Sequence, residues 1–211
     1  MNFLNHPHKT NEEIFFVRGA SVLEILVTAG VSFLIFCVIY INLQTSDGQV
    51  SVSNLAHDVS FGIHQAQVYG VGDSNTIFIN GKTKSFGLHF SLKNKSQYIF
   101  FADLNGNGFY DPSIGKGDVC PRNSECISVW QIANGNFIKD LCVDTICGAN
   151  KKIDTLDLVF VRPNPEPKIY GYKQGVDEDA VKGYSTRISI SDKAGVDRII
   201  NVESTGRVSI D

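Results

Sequence analysis

The chain has 211 residues, 43% of them hydrophobic, and a formal net charge of −3 from 19 basic and 22 acidic side chains. That length allows one folded domain beside a membrane segment, and the near-neutral balance argues against a polyanion-binding surface as the main role. No G-x-x-x-x-G-K-[ST] run is present, so the sequence offers no phosphate-cradling loop with which to drive work from a nucleoside triphosphate.

Residues 1–19 are polar and irregular, end in Arg18-Gly19, and read as a leader held in the cytoplasm by Lys9 and Arg18. An almost unbroken apolar run then extends from Ala20 to Leu43, with Glu24 as its one charge. As a helix, Val22 to Leu43 spans about 33 Å, enough to cross a hydrocarbon core of about 30 Å. A carboxylate inside such a span costs roughly 2.5–3.5 kcal/mol on insertion scales, so Glu24 calls for a partner. Cleavage after Gly19 would free the amine of Ala20, and the amine of one copy can pair with Glu24 of the next. An ordinary secretory signal, with an apolar region of about 7–15 residues and a small-residue exit, does not fit this run. A plain single-pass anchor fits its length but leaves Glu24 and the Arg-Gly junction without a role.

Gly19 before the cut, Ala20 after it, and Ser21-Val22-Leu23-Glu24 leading into the apolar helix resemble the signal of type IV pilins and type II secretion pseudopilins. The resemblance implies a prepilin peptidase that cuts after Gly19 and methylates Ala20. It also implies residence in the inner membrane as a single-pass protein with its C-terminal domain outside the cytoplasm. Assembly into an extracellular or periplasmic filament would follow, through Glu24, with other pilin or pseudopilin subunits and an inner-membrane assembly platform. Major pilins of the family often carry glycine and proline where this chain has Phe33 and Ile41, a departure that points to a minor subunit.

Beyond Leu43, apolar residues recur at helical spacing: Val52, Leu55, Val59, Ile63, Ala66, then Val68 and Tyr69. The spacing predicts that the helix continues over 46–72 as an amphipathic segment, with Asp47-Gly48 as a possible bend. His57 and His64 share a face but lack a third ligand, and are expected to be solvated or packed imidazoles. From Thr76 the period becomes two. Ile77–Ile79 and Ser85–Phe90 around Asn80-Gly81 predict a hairpin. Gln97–Ala102 is the next strand, and Ile127–Ile132 with Phe137–Val143 predict a second hairpin around Ala133–Asn136. Leu156–Val161 is a strand stopped by Pro163, Pro165 and Pro167, and Ile169–Lys182 is expected to be an exposed loop. Ser185–Ser191, Arg198–Val202 and Arg207–Ile210 predict an antiparallel meander turning at Gly195 and Gly206. The aromatic strand before Asp103 and the closing meander add a weaker resemblance to minor pilins and H-type pseudopilins.

Asp103-Leu104-Asn105-Gly106-Asn107-Gly108-Phe109-Tyr110-Asp111 carries the chemistry outside the helix. Oxygen side chains at loop places one, three, five and nine, the Phe109 carbonyl at seven and glycine at six match the start of a calcium loop. Ile114 stands where the bidentate glutamate belongs, so the missing ligand would come from Asp118, from a distant carboxylate or from water. The competing reading is a plain polar turn. Cys37 is a small apolar helix residue, whereas Cys120, Cys126, Cys142 and Cys147 indicate two disulfides in an oxidising compartment. Three pairings are open; closure of the two short loops is the expectation. No nucleophile motif surrounds His57, His64 or His89, and Asp154, Asp157 and Asp177 are expected to be solvated, so no enzyme is read here. Lys193, Arg198 and Arg207 are too few for nucleic acid.

The whole predicts an α+β protein: a leader over 1–19, a membrane and filament-core helix over 20–45, its amphipathic continuation over 46–72, and a disulfide-bonded antiparallel β domain over 73–211. Its expected function is that of a filament subunit, the alternative being a membrane-anchored exported domain that binds or hydrolyses a ligand.

Overall fold

The computed structural model describes residues 21–72, 85–112, 120, 124–144, 147–148, 152–173 and 181–211, without the side chains of 41–47. Gly19, Ala20, Ile77–Ile79, the Asn80-Gly81 turn, Asp118 and Asp177 lie outside these residues. The chain divides into two units, residues 1–44 and 45–211.

Helix α1 is helical without interruption from Val22 to Val71. It opens on Ser21, whose carbonyl accepts the N–H groups of Glu24 (2.8 Å) and Ile25 (3.1 Å). Ser21 and Glu24 have the S-x-x-E spacing of a capping box, and an acid in the first turn also suits the helix dipole. In the first unit, Val22–Tyr40 is long and apolar enough to cross a membrane, and none of it is buried. A single membrane span and a signal sequence both satisfy that description.

In the second unit, Val52, Leu55, Ala56, Val59, Ile63 and Ala66 form the buried stripe of α1, as the periodicity predicts, while Val68 is exposed. His57 and His64 are also exposed. The helix ends where Arg162 reaches its last carbonyls, donating to Val71 O at 3.3 Å and to Gly72 O, groups that have no intrahelical donor.

Every described strand pair is antiparallel. One sheet contains β1 (Ser85–Ser91), β2 (Gln97–Asp103), β3 (Cys126–Gln131), β6 (Thr155–Phe160), β7 (Pro167–Tyr172) and β8 (Val181–Gly183) in the order β3-β2-β1-β6-β7-β8. The other contains β4 (Phe137–Val143), β5 (Lys152–Ile153), β9 (Ser185–Ser191), β10 (Asp197–Glu203) and β11 (Val208–Ile210) in the order β11-β10-β9-β4-β5. Both sheets and the α1 stripe share one core, with Phe90, Leu88, Phe160, Leu141, Ile188 and Ile200 fully buried in it. At Gly62 the helix comes so close to β3 that a Cβ would stand 2.3 Å from the Trp130 ring. The fold is therefore α+β, with an apolar N-terminal helix ahead of antiparallel sheets.

Two expectations need correction. Ile127–Ile132 and Phe137–Val143 do not form a hairpin: β3 pairs with β2, and β4 crosses to the other sheet beside β9. The turn between them does carry left-handed residues (Asn134 φ 60°, Gly135 φ 75°), but Leu141, Cys142 and Val143 are buried in succession, which a central strand provides and an edge hairpin does not. The expected partner of β1 in a hairpin, Ile77–Ile79, lies outside the described residues; β1 itself pairs with β2 and β6. Finally, Ile169–Lys182 is not all loop, since β7 and β8 pair within it. Gly171 permits this. A Cβ there would lie 2.6 Å from Val143 and 2.7 Å from Ile153, so only glycine lets those side chains approach. The meander β9-β10-β11 forms as expected, with left-handed Gly195 and Gly206 in its turns.

Candidate functional site

Two places carry the polar groups that sequence singles out. The first is the start of α1. Glu24 sits in the first turn of the helix, surrounded by exposed Val22, Leu23, Ile25, Leu26 and Val27, and its backbone carbonyl accepts from the Thr28 hydroxyl at 2.9 Å. No cation lies in Val22–Tyr40 to balance it.

The second is the loop that leaves β2. Asp103, 4% exposed, fixes the turn by accepting the N–H of Gly106 on Oδ1 (2.7 Å) and that of Gly108 on Oδ2 (2.9 Å). Gly106 and Gly108 have φ of 81° and 84°, which the sharp turn requires and which L side chains avoid. Asn105 and Asn107 both donate side-chain N–H to Asp111 Oδ2, at 2.6 and 2.9 Å. The side chains of loop places three, five and nine thus converge on one point. Their side-chain oxygens also order the backbone, accepting the N–H groups of Asn107 and Phe109.

Glu125, which sequence reasoning missed, closes this loop from outside. It is 5% exposed, and its two oxygens accept the N–H of Leu104 (3.0 Å) and of Asp111 (2.8 Å). Burial raises its pKa, the two backbone donors lower it, and Asp111 and Asp103 raise it by repulsion. The residue beside it, Cys126, is bonded to Cys120, and the other disulfide joins Cys142 to Cys147. Cys37 is a free, half-buried thiol.

Beneath the loop, a buried polar pair corrects another expectation. Asp157 is 2% exposed rather than solvated, and it faces His89 across β1 and β6, with Oδ1 and Nδ1 2.7 Å apart. Burial pushes the Asp157 carboxyl above its ordinary range, opposed by His89 and by the Tyr110 backbone N–H. The Tyr110 ring lies over His89 and Phe101, at 4.9 and 5.5 Å, and Phe109 meets Tyr170 and Tyr172 edge-on. The loop therefore covers the outer face of the first sheet, where Ile99, Phe101 and Val159 form a small second core. A lone histidine in Phe86-Gly87-Leu88-His89-Phe90 and a lone aspartate in Leu156-Asp157-Leu158 were the available signal.

For calcium, the convergence on Asp111 suits an oxygen-ligated cation, which would replace the two Asn-to-Asp111 hydrogen bonds. No group of three or more His, Cys, Asp or Glu side chains placed to hold a metal occurs among the described residues. Of the basic residues on the meander, Arg207 approaches Glu203 at 4.0 Å and Arg198 donates to the Asp197 carbonyl. Compared with protein families, curated proteins and solved structures, the chain matches none.

Proposed function

We propose that this chain is a subunit of a type IV pilus or type II secretion-like filament, a minor pilin or pseudopilin cut after Gly19 and assembled through its N-terminal helix. The observation that carries the reading is an exposed apolar helix with one carboxylate in its first turn, continuous with a half whose buried stripe seats on antiparallel sheets. A first-turn acid gains about 0.3–1 kcal/mol from the helix dipole, whereas an acid at the centre of a span costs roughly 2.5–3.5 kcal/mol on insertion scales, so the cost to Glu24 grows as the helix end enters an apolar filament core. The free amine of Ala20 on an adjoining copy supplies the missing charge.

Before assembly the helix resides in the inner membrane, among lipids. The prepilin peptidase, sister subunits and the assembly platform are its partners, and its role is structural. Asp103, Asn105, Asn107, the Phe109 carbonyl and Asp111 hold Ca²⁺, which neutralises the loop carboxylates and stiffens the cover over the sheet. Calcium should raise the melting temperature, and Asp103→Ala should abolish that part of the rise; no shift at millimolar calcium removes the metal from the proposal.

N-terminal sequencing of the protein extracted from its native membrane is the deciding experiment. A chain beginning at Ala20 is expected, whereas one beginning at Met1 leaves a plain anchor. Glu24→Ala should still insert in the membrane yet assemble poorly, since losing one partner of a buried pair typically costs about 3–5 kcal/mol. Normal incorporation of Glu24→Ala into filaments refutes the pairing.

A further inference from the structure

On the outer face of the first sheet, His89, Asp157 and Tyr170 stand opposite one another across β1, β6 and β7, and a second polar row crosses the same strands beside them. Ser91 of β1 is the direct partner of Thr155 of β6, and Thr155 is that of Tyr172 of β7. Their strand neighbours Phe90 and Leu156 belong to the shared core, so alternation turns Ser91 and Thr155 outward. Tyr172 is on the same side, because its ring meets Phe109 of the loop that covers this face. Directly opposed residues have Cβ atoms about 4.5–5.5 Å apart, so three hydroxyl-bearing side chains form one line.

The three line a cavity of about 580 Å³ together with Lys93, Lys173 and Asp154. Lys93 follows β1 and Lys173 follows β7, the strands at either end of the line. Both lysines are exposed, and neither has an ion-pair partner among the described residues. Asp154 is the one carboxylate in the lining, which therefore carries one positive charge in excess.

This lining is rich in donors. The ammonium groups can only donate. Ser91 Oγ already accepts the Lys93 N–H at 3.3 Å, which leaves its O–H to donate. Burial, followed by the charges of Asp157 and Asp111, raises the pKa of the Tyr172 hydroxyl, which stays protonated and can donate as well. A matching ligand brings a carboxylate to the lysines and hydroxyls that exchange hydrogen bonds with the row. The volume falls in the range of about 300–1,000 Å³ typical of sites for small organic molecules, and an inorganic anion would leave most of it unfilled.

We propose that this cavity binds a hydroxylated organic acid of sugar size, a uronate, with its carboxylate held by Lys93 and Lys173 and its hydroxyls along Ser91, Thr155 and Tyr172. The site depends neither on calcium in the Asp103–Asp111 loop nor on filament assembly. Saturation-transfer NMR on the detergent-solubilised full chain, with galacturonate as the probe, tests it. Exposed lysines place the affinity at about 10⁻³ M. Galactose, which lacks the carboxylate, should bind about fivefold or more weakly, and Lys93→Gln combined with Lys173→Gln should weaken galacturonate by a similar factor. Lys168→Gln, at an exposed lysine near the start of β7, should change nothing. Thr155→Val keeps the branched shape and should weaken galacturonate about threefold. The lysine substitutions lie on exposed side chains and should keep the wild-type melting temperature, so lost binding there is not lost folding. Equal affinity for galactose and galacturonate overturns the proposal, as does unchanged galacturonate binding in the double lysine variant. Absence of galacturonate binding at millimolar concentration, or its displacement by an equal concentration of acetate, overturns it too.

Discussion

Along α1, the segment Val22–Tyr40 exposes Leu23, Phe33, Leu34 and Phe36, whereas the segment from Ser51 to Ala66 buries Val52, Leu55, Ala56, Val59 and Ile63. Phe61 stands two residues from both Val59 and Ile63, hence on the opposite side of the helix, and is 70% exposed. The same backbone thus serves two environments. A one-sided stripe marks a helix that finds its apolar partner within its own chain, while apolar residues all round mark one whose surroundings are lipid or other chains.

The comparison breaks hardest where the core is fullest. Phe160→Ala should destabilise the second unit by about 3–5 kcal/mol in denaturant, whereas exposed Phe33→Ala should leave the same transition in place. Equal losses would mean that the first segment is packed after all. A finer test lies within one helical turn. Ile63→Ala should cost about 2–5 kcal/mol and Phe61→Ala no more than about 0.5 kcal/mol, by the same measurement. Smaller still is the effect of Glu125→Gln. The amide leaves one of two partly buried N–H groups, Leu104 or Asp111, without its acceptor, at about 1 kcal/mol. A wild-type melting curve for Glu125→Gln would show that the loop closes without it.

What was legible in sequence was local. The stripe from Val52 to Ala66 repeats at helical spacing, and the last three strands are separated by glycines that their turns require. The errors were matters of partnership. Asn134-Gly135 signals that the chain reverses there, but nothing local says that β4 joins β9 rather than β3. Pro167-Lys168-Ile169-Tyr170-Gly171-Tyr172 alternates as a strand should, yet its proline and glycine read as loop because the reason for Gly171 lies on Val143 and Ile153. His89 and Asp157 are 68 residues apart, and Glu125 bonds backbone N–H groups, which every residue but proline offers. The Asp103 loop announced its oxygens, and only the folded chain revealed the carboxylate that braces it.

Trp130 is the only tryptophan in the chain. It abuts Gly62 of α1, lies parallel to Phe100 and meets Tyr98 edge-on at 5.1 Å. Its fluorescence therefore reports from one place, where the helix meets the sheet. An emission shift that precedes the loss of far-ultraviolet strand signal would register the helix lifting away, a step that purification tags or added dyes could only approximate.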